Sequence, residues 1–108
     1  MRFLEVHVAR SEQELREQFS EDPTAMDSFS ALRRQYQTEE RWEDLAWVYE
    51  TRAAALDAAN RQADMYFKAA DLYLGQLNNE AKGTDCLFEG VKLDPRHRRN
   101  SRKLKELL

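Results

Sequence analysis

An all-α chain of short helical hairpins is what this sequence predicts, about five helices in all, with a short β-strand ahead of them. Three observations carry that expectation. Among 108 residues there are only three glycines and two prolines, well under the usual combined share of about 12%. A sandwich or barrel needs many turns marked by those residues. Apolar side chains recur at spacings of three and four along most of the chain, the signature of helices with one buried stripe. The polar stretches between these runs are short, so consecutive helices lie antiparallel. The length suits one domain and leaves no room for a second.

The elements follow in order. Leu4, Val6 and Val8 alternate with Glu5 and His7, the period of two of a half-buried strand, so residues 1–10 form a separate N-terminal segment. A continuous helix from Met1 through Leu4, Val8, Leu15 and Phe19 is the competing reading. Ser11 and Glu14 have the spacing of a capping box and start a helix with Leu15 and Phe19 on its inner face. Pro23 ends that helix, because the residue before a proline avoids the helical region, and Asp22 or Thr24 caps the next. Met26, Phe29, Leu32 and Tyr36 make its stripe. After the polar turn Gln37 to Arg41, the pattern resumes at Trp42, Leu45, Tyr49, Ala53 and Leu56. Trp47 and Val48 widen that stripe and give this helix neighbours on two sides. Residues 59–62 form a weak break before Tyr66, Ala69, Ala70, Tyr73 and Leu77. Asn78-Asn79 ends that run, and Gly83, Leu87, Phe88 and Val91 define another. Asp94 as N-cap with Pro95 at the first helical position restarts the chain for a last helix, apolar only at Leu104, Leu107 and Leu108. Residues 11–108 are thus one helical domain, with helix pairs at about 25–59 and 62–93 and a final helix at 95–108. Tyr36, Trp42, Leu45, Tyr49, Tyr66, Tyr73 and Leu87 are its expected core.

Two segments repeat one another. Phe29-x2-Leu32-Arg33-x2-Tyr36 with Leu45-x3-Tyr49 parallels Tyr66-x2-Ala69-Ala70-x2-Tyr73 with Gly83-x3-Leu87 and Pro95. Both resemble the tetratricopeptide repeat, a helix pair marked by W-x2-L-G-x2-Y, A-x3-F and P. The close Gly90-Val91-Lys92-Leu93-Asp94-Pro95 is similar to the usual end of such a repeat, and Arg41-Trp42-Glu43-Asp44-Leu45 to the turn between its helices. The sequence departs from the pattern at Arg33 and Arg52, which stand where small residues normally pack, and in a repeat spacing of 37. The resemblance implies a short superhelix with a concave groove that takes an extended peptide or a partner's helix. Carried onto the matching helices, the groove residues are Ser30, Arg33, Arg34, Gln37, Phe67, Lys68, Asp71 and Leu74. Arg34 and Lys68 are suited to a partner carboxylate, Phe67 and Leu74 to apolar contact.

Charge is placed unevenly. Residues 1–94 carry 19 acidic and 11 basic side chains, whereas the last fourteen carry six basic residues and one Glu. Arg96, Arg98, Arg99, Arg102, Lys103 and Lys105 therefore offer an electrostatic handle for an acidic partner. Nucleic-acid binding through them is the third reading, opposed by an acidic body and by the lack of aromatics among these cations. Self-association is the second. An unpaired N-terminal strand and the apolar end faces of a solenoid of only two repeats favour a homo-oligomer. It forms through the N-terminal segment and the end helices, with the basic last helix on an acidic neighbour. Catalysis finds no support. There is no Gly-rich phosphate loop, no Cys-x-x-Cys and no paired-His spacing, so neither metal nor cofactor is expected. The single cysteine and the lack of a long apolar run predict a cytoplasmic chain that does not enter membranes. The expectation is a non-catalytic adaptor or scaffold.

Overall fold

The computed structural model describes residues 10–108 and contains, among them, six helices and no strand. In chain order these are α1 (Glu12–Glu21), α2 (Met26–Thr38), α3 (Trp42–Ala55), α4 (Ala59–Leu74), α5 (Glu80–Leu93) and α6 (Arg98–Leu107). The count is one above the sequence expectation. The strand expected through Leu4, Val6 and Val8, and its helical alternative from Met1, lie outside the described residues.

Local chemistry explains most of the boundaries. The Ser11 hydroxyl accepts from the Glu14 amide at 3.1 Å, and the Glu14 carboxylate accepts from the Ser11 amide at 3.0 Å. That reciprocal pair satisfies two amides that the first turn of α1 would otherwise leave open. Asp22 and Thr24 do not cap α2 as expected. The Asp22 carboxylate takes up both the amide and hydroxyl of Thr24, at 3.2 and 2.6 Å, and α2 starts from Ala25 with no side-chain cap. Glu40 turns the chain between α2 and α3 at φ 56°, a left-handed conformation adopted here without glycine. The break after α3 falls at Leu56 to Ala58, so residues 59–62 are the first turn of α4. Asn79 caps α5 by accepting from the Lys82 amide at 3.1 Å. The last helix begins at Arg98 rather than Pro95. Asp94 accepts from the Arg96 amide and shapes the turn, and the His97 ring caps α6 instead.

Each helix packs on its neighbours in the chain, and α4 also touches α6. The result is a stack measuring 58 × 29 × 17 Å with a radius of gyration of 15.5 Å, longer than the ~13 Å of a compact domain of about 100 residues. One cluster runs through it from Leu15 and Phe19 to Leu104. Tyr36, Leu45, Tyr49, Tyr73 and Leu87 are buried in that cluster as expected, while Trp42 and Tyr66 are only partly buried against it. Close approach of α5 to its neighbours depends on two glycines. A Cβ at Gly83 would meet the Leu74 side chain at 2.6 Å, and one at Gly90 would overlap the Asn100 amide.

Arg52 shows why a large side chain stands at a position read as small. The residue is 8% exposed, and its guanidinium donates to the Pro23 and Thr24 carbonyls at 3.1 and 3.0 Å and lies 4.3 Å from the Phe29 ring centroid. It ties α3 to the turn that precedes α2, supplying partners to carbonyls that no helix satisfies.

Candidate interaction face

Alternation of antiparallel neighbours brings α2, α4 and α6 into one layer. Asn100 of α6 donates to the Ala63 carbonyl of α4 at 3.1 Å, entirely buried. His97 caps α6 through Nδ1, which accepts from the Asn100 amide, so the ring proton sits on Nε2 and is donated to Asp64 at 2.6 Å. On the other side of α4, Lys68 places its ammonium 6.0 Å from the Tyr49 ring centroid. Arg33 of α2 adjoins the same tyrosine: burial pushes the Tyr49 hydroxyl above its ordinary range, and the Arg33 guanidinium offsets part of that.

Charge divides with the layers. Helices α2, α4 and α6 carry nine basic and four acidic side chains, whereas α1, α3 and α5 carry four basic and ten acidic. Most of the excess lies on α6, with five of the nine cations, while α2 and α4 together carry four basic and three acidic side chains. This basic set stands on a chain whose overall charge is −3. Neither Arg33 nor Lys68 has a carboxylate within 4.0 Å among the described residues.

The residues singled out from the sequence are redistributed by the fold. Phe67 and Asp71 of α4 meet Arg99, Arg102 and Lys103 of α6, with Glu106, around a shallow groove of about 230 Å³. The Arg99 guanidinium lies 4.9 Å from the Phe67 ring centroid and also reaches Asp64 at 3.1 Å. Two sets read separately, one from the repeat pattern and one from the basic tail, thus share a surface. Arg34 instead faces α1, lining a depression with Leu15, Ala31 and Thr38. Leu74 packs against Gly83 and the core. Ser30 is half-buried and Gln37 exposed on α2, and Arg96 and Arg98 are exposed at the start of α6.

The most tightly knit polar cluster was not anticipated from sequence. Both guanidinium amines of Arg41 donate to Glu12 at 2.7 Å, and the Tyr36 hydroxyl donates to Glu12 at 2.8 Å. Arg16 donates to the Tyr36 oxygen at 2.7 Å and to Asp44 at 3.3 Å, with its guanidinium 4.2 Å from the Trp47 ring centroid. The Arg41 guanidinium, helped by the Tyr36 hydroxyl, holds the Glu12 carboxyl down at about 2. Each member is partnered, so this cluster joins α1 to α2 and α3 rather than offering groups to a ligand. Glu12-x3-Arg16 on one helix face was its only sequence signal.

Elsewhere, burial pushes the Cys86 thiol up to about 12, which keeps it protonated and unreactive. Its neighbour Tyr73 is raised by burial and by Glu50, to which it donates at 2.6 Å. No group of His, Cys, Asp and Glu among the described residues has metal-binding spacing, and no described helix is long and apolar enough to cross a membrane. Comparison with known proteins finds no family model that matches the chain, no similar curated protein and no similar solved structure.

Proposed function

We propose that the chain is a non-catalytic protein–protein interaction module of tetratricopeptide-like helix pairs, α2 with α3 and α4 with α5, acting in the cytoplasm as an adaptor or scaffold. Its ligand is an acidic peptide or helix of a partner protein, held on the layer of α2, α4 and α6. The observation that carries this reading is the segregation of charge between the layers, nine basic side chains against four acidic on one and the reverse bias on the other. Arg33 and Lys68 adjoin Tyr49 and have no carboxylate partner within 4.0 Å among the described residues, and Phe67 beside Arg99 supplies an apolar contact flanked by charge. Aromatic and arginine side chains of this kind are the usual energetic centres of an interface. A protonated, buried Cys86 suits a reducing compartment.

Fluorescence anisotropy against a panel of acidic, neutral and basic peptides tests the reading. Acidic peptides carrying an aromatic or aliphatic anchor bind preferentially, and affinity falls as salt rises. Lys68→Glu and Arg33→Glu each weaken binding about tenfold, the equivalent of one lost charge-assisted contact. Equal affinity for basic peptides, or indifference to both substitutions, would remove the proposal.

A further inference from the structure

Two helices in this stack carry charges that oppose their own dipoles. The first turn of α6 contains Arg98 and Arg99 and no acidic residue, where a helix favours anions. The last turn of α1 has no basic residue and ends on Glu21, where a helix favours cations. Arg99 pairs with Asp64 inside the chain at 3.1 Å. Arg98 and Glu21, in contrast, break the local rule with no partner within 4.0 Å among the described residues, which points to a demand from outside the chain.

The two helices terminate the stack at opposite ends. Helix α1 buries Leu15 and Phe19 and exposes Glu14, Glu17 and Glu21; α6 buries Asn100 and Leu104 and exposes Arg98, Arg102 and Lys105. Among the described residues no other helix covers either exposed stripe. An open depression lined by Glu12, Gln13, Arg16, Glu17, Ser20 and Glu21 marks one end, and one lined by Arg98, Ser101, Arg102 and Lys105 marks the other.

The spacings match in one direction. Along α6 the cations are separated by four and then three residues, and along α1 read backwards the glutamates are separated by four and then three. Laid antiparallel, Arg98 faces Glu21, Arg102 faces Glu17 and Lys105 faces Glu14, over about 10 Å of helix. A parallel arrangement puts the middle pair out of step by one residue. Antiparallel packing is also what short turns impose on successive helices, and it sets the two helix dipoles in opposition.

We infer that the partner of these end faces is a second copy of the chain, docked head to tail with α6 of one copy antiparallel against α1 of the next. The contact is heterologous, so it leaves a free end on each copy and extends into oligomers. Its faces are charged rather than apolar, which makes the association weak, reversible and salt-dependent. It goes beyond the peptide-binding proposal and uses neither Arg33 nor Lys68, so each can fail without the other.

Molar mass by light scattering on the full chain, over a wide concentration range, tests this with two charge-swapped variants. One is Arg98→Glu with Arg102→Glu; the other is Glu17→Lys with Glu21→Lys. All four sites are exposed, and the swaps at Arg98 and Glu21 place favourable charges at the helix ends, so both variants fold, as circular dichroism would show. At ~0.01 M salt, where screening extends ~30 Å, the wild-type chain rises with concentration from 12.8 kDa to multiples of it. At ~1 M salt, where screening shortens to ~3 Å, it returns to the monomer. Each variant alone stays monomeric, and an equimolar mixture of the two assembles again. A wild-type chain monomeric at low salt would overturn the inference. So would assembly that survives high salt or either swap, and so would a mixture that fails to assemble.

Discussion

Glu12 shows how one side chain can couple three helices. Its two carboxylate oxygens accept from Arg41 and Tyr36, and through them α1 is joined to α2 and to the start of α3. Because the ionised form is the one these donors hold, its folded value falls to about 2 from an unfolded value of 4.5. The linkage sign follows directly. A depressed carboxylate contributes stability that is fully present above the unfolded value and is lost as pH falls toward the folded one. Thermal unfolding should therefore show a decline in melting temperature between pH 4.5 and about 2. Glu12→Gln should lower stability at neutral pH and flatten that decline. An unchanged acid profile in the variant would show that the Glu12 hydrogen bonds are not what holds α1 in place. Arg52 makes the same kind of link without titrating in that range, since its donors meet backbone carbonyls.

At the scale of elements, the attachment of α6 depends on the fit between a missing side chain and a buried amide. Gly90 leaves the space that Asn100 occupies, and Asn100 uses it to reach the Ala63 carbonyl. Gly90→Ala should displace Asn100 and cost about 1–3 kcal/mol, read from urea unfolding. Pairing it with Asn100→Ala should recover part of that loss, because the cavity then accepts the new methyl. Additive losses would mean that the two positions do not share a space. The sequence marked Gly90 as part of a repeat-like close, and its periodicity pointed to helices through residues such as Phe29, Leu45, Tyr73 and Leu87. What it could not supply were boundaries decided by competing hydrogen bonds. Asp94-Pro95 read as a helix start, yet His97 caps α6, since Asp94 is occupied by the Arg96 amide. The groove was half legible for a related reason. Phe67 and Asp71 came from the repeat pattern and Arg99, Arg102 and Lys103 from the charge run, but only packing of α4 on α6 joins them. Arg34 and Leu74 share the exposed spacing of their helices and are turned elsewhere by α1 and by Gly83.

For the whole molecule, the stack has contacts mainly between successive helices, so stability should fall off from the middle outward. Packing is densest between α4 and α5 and between α3 and α4, and thinner where α1 meets α2 and α6 meets α5. Amide hydrogen exchange should accordingly place α3, α4 and α5 at the free energy of global unfolding, with α1 and α6 opening at a lower cost. Uniform protection across all six helices would contradict this gradient and indicate a single cooperative unit. The same measurement separates the two proposed surfaces, because binding adds protection where it occurs. An acidic peptide on the cationic layer slows exchange in α2, α4 and α6 and leaves α1 unchanged. Raising the protein concentration at low salt slows α1 together with α6 and leaves α2 unchanged, so α1 and α2 tell the two surfaces apart.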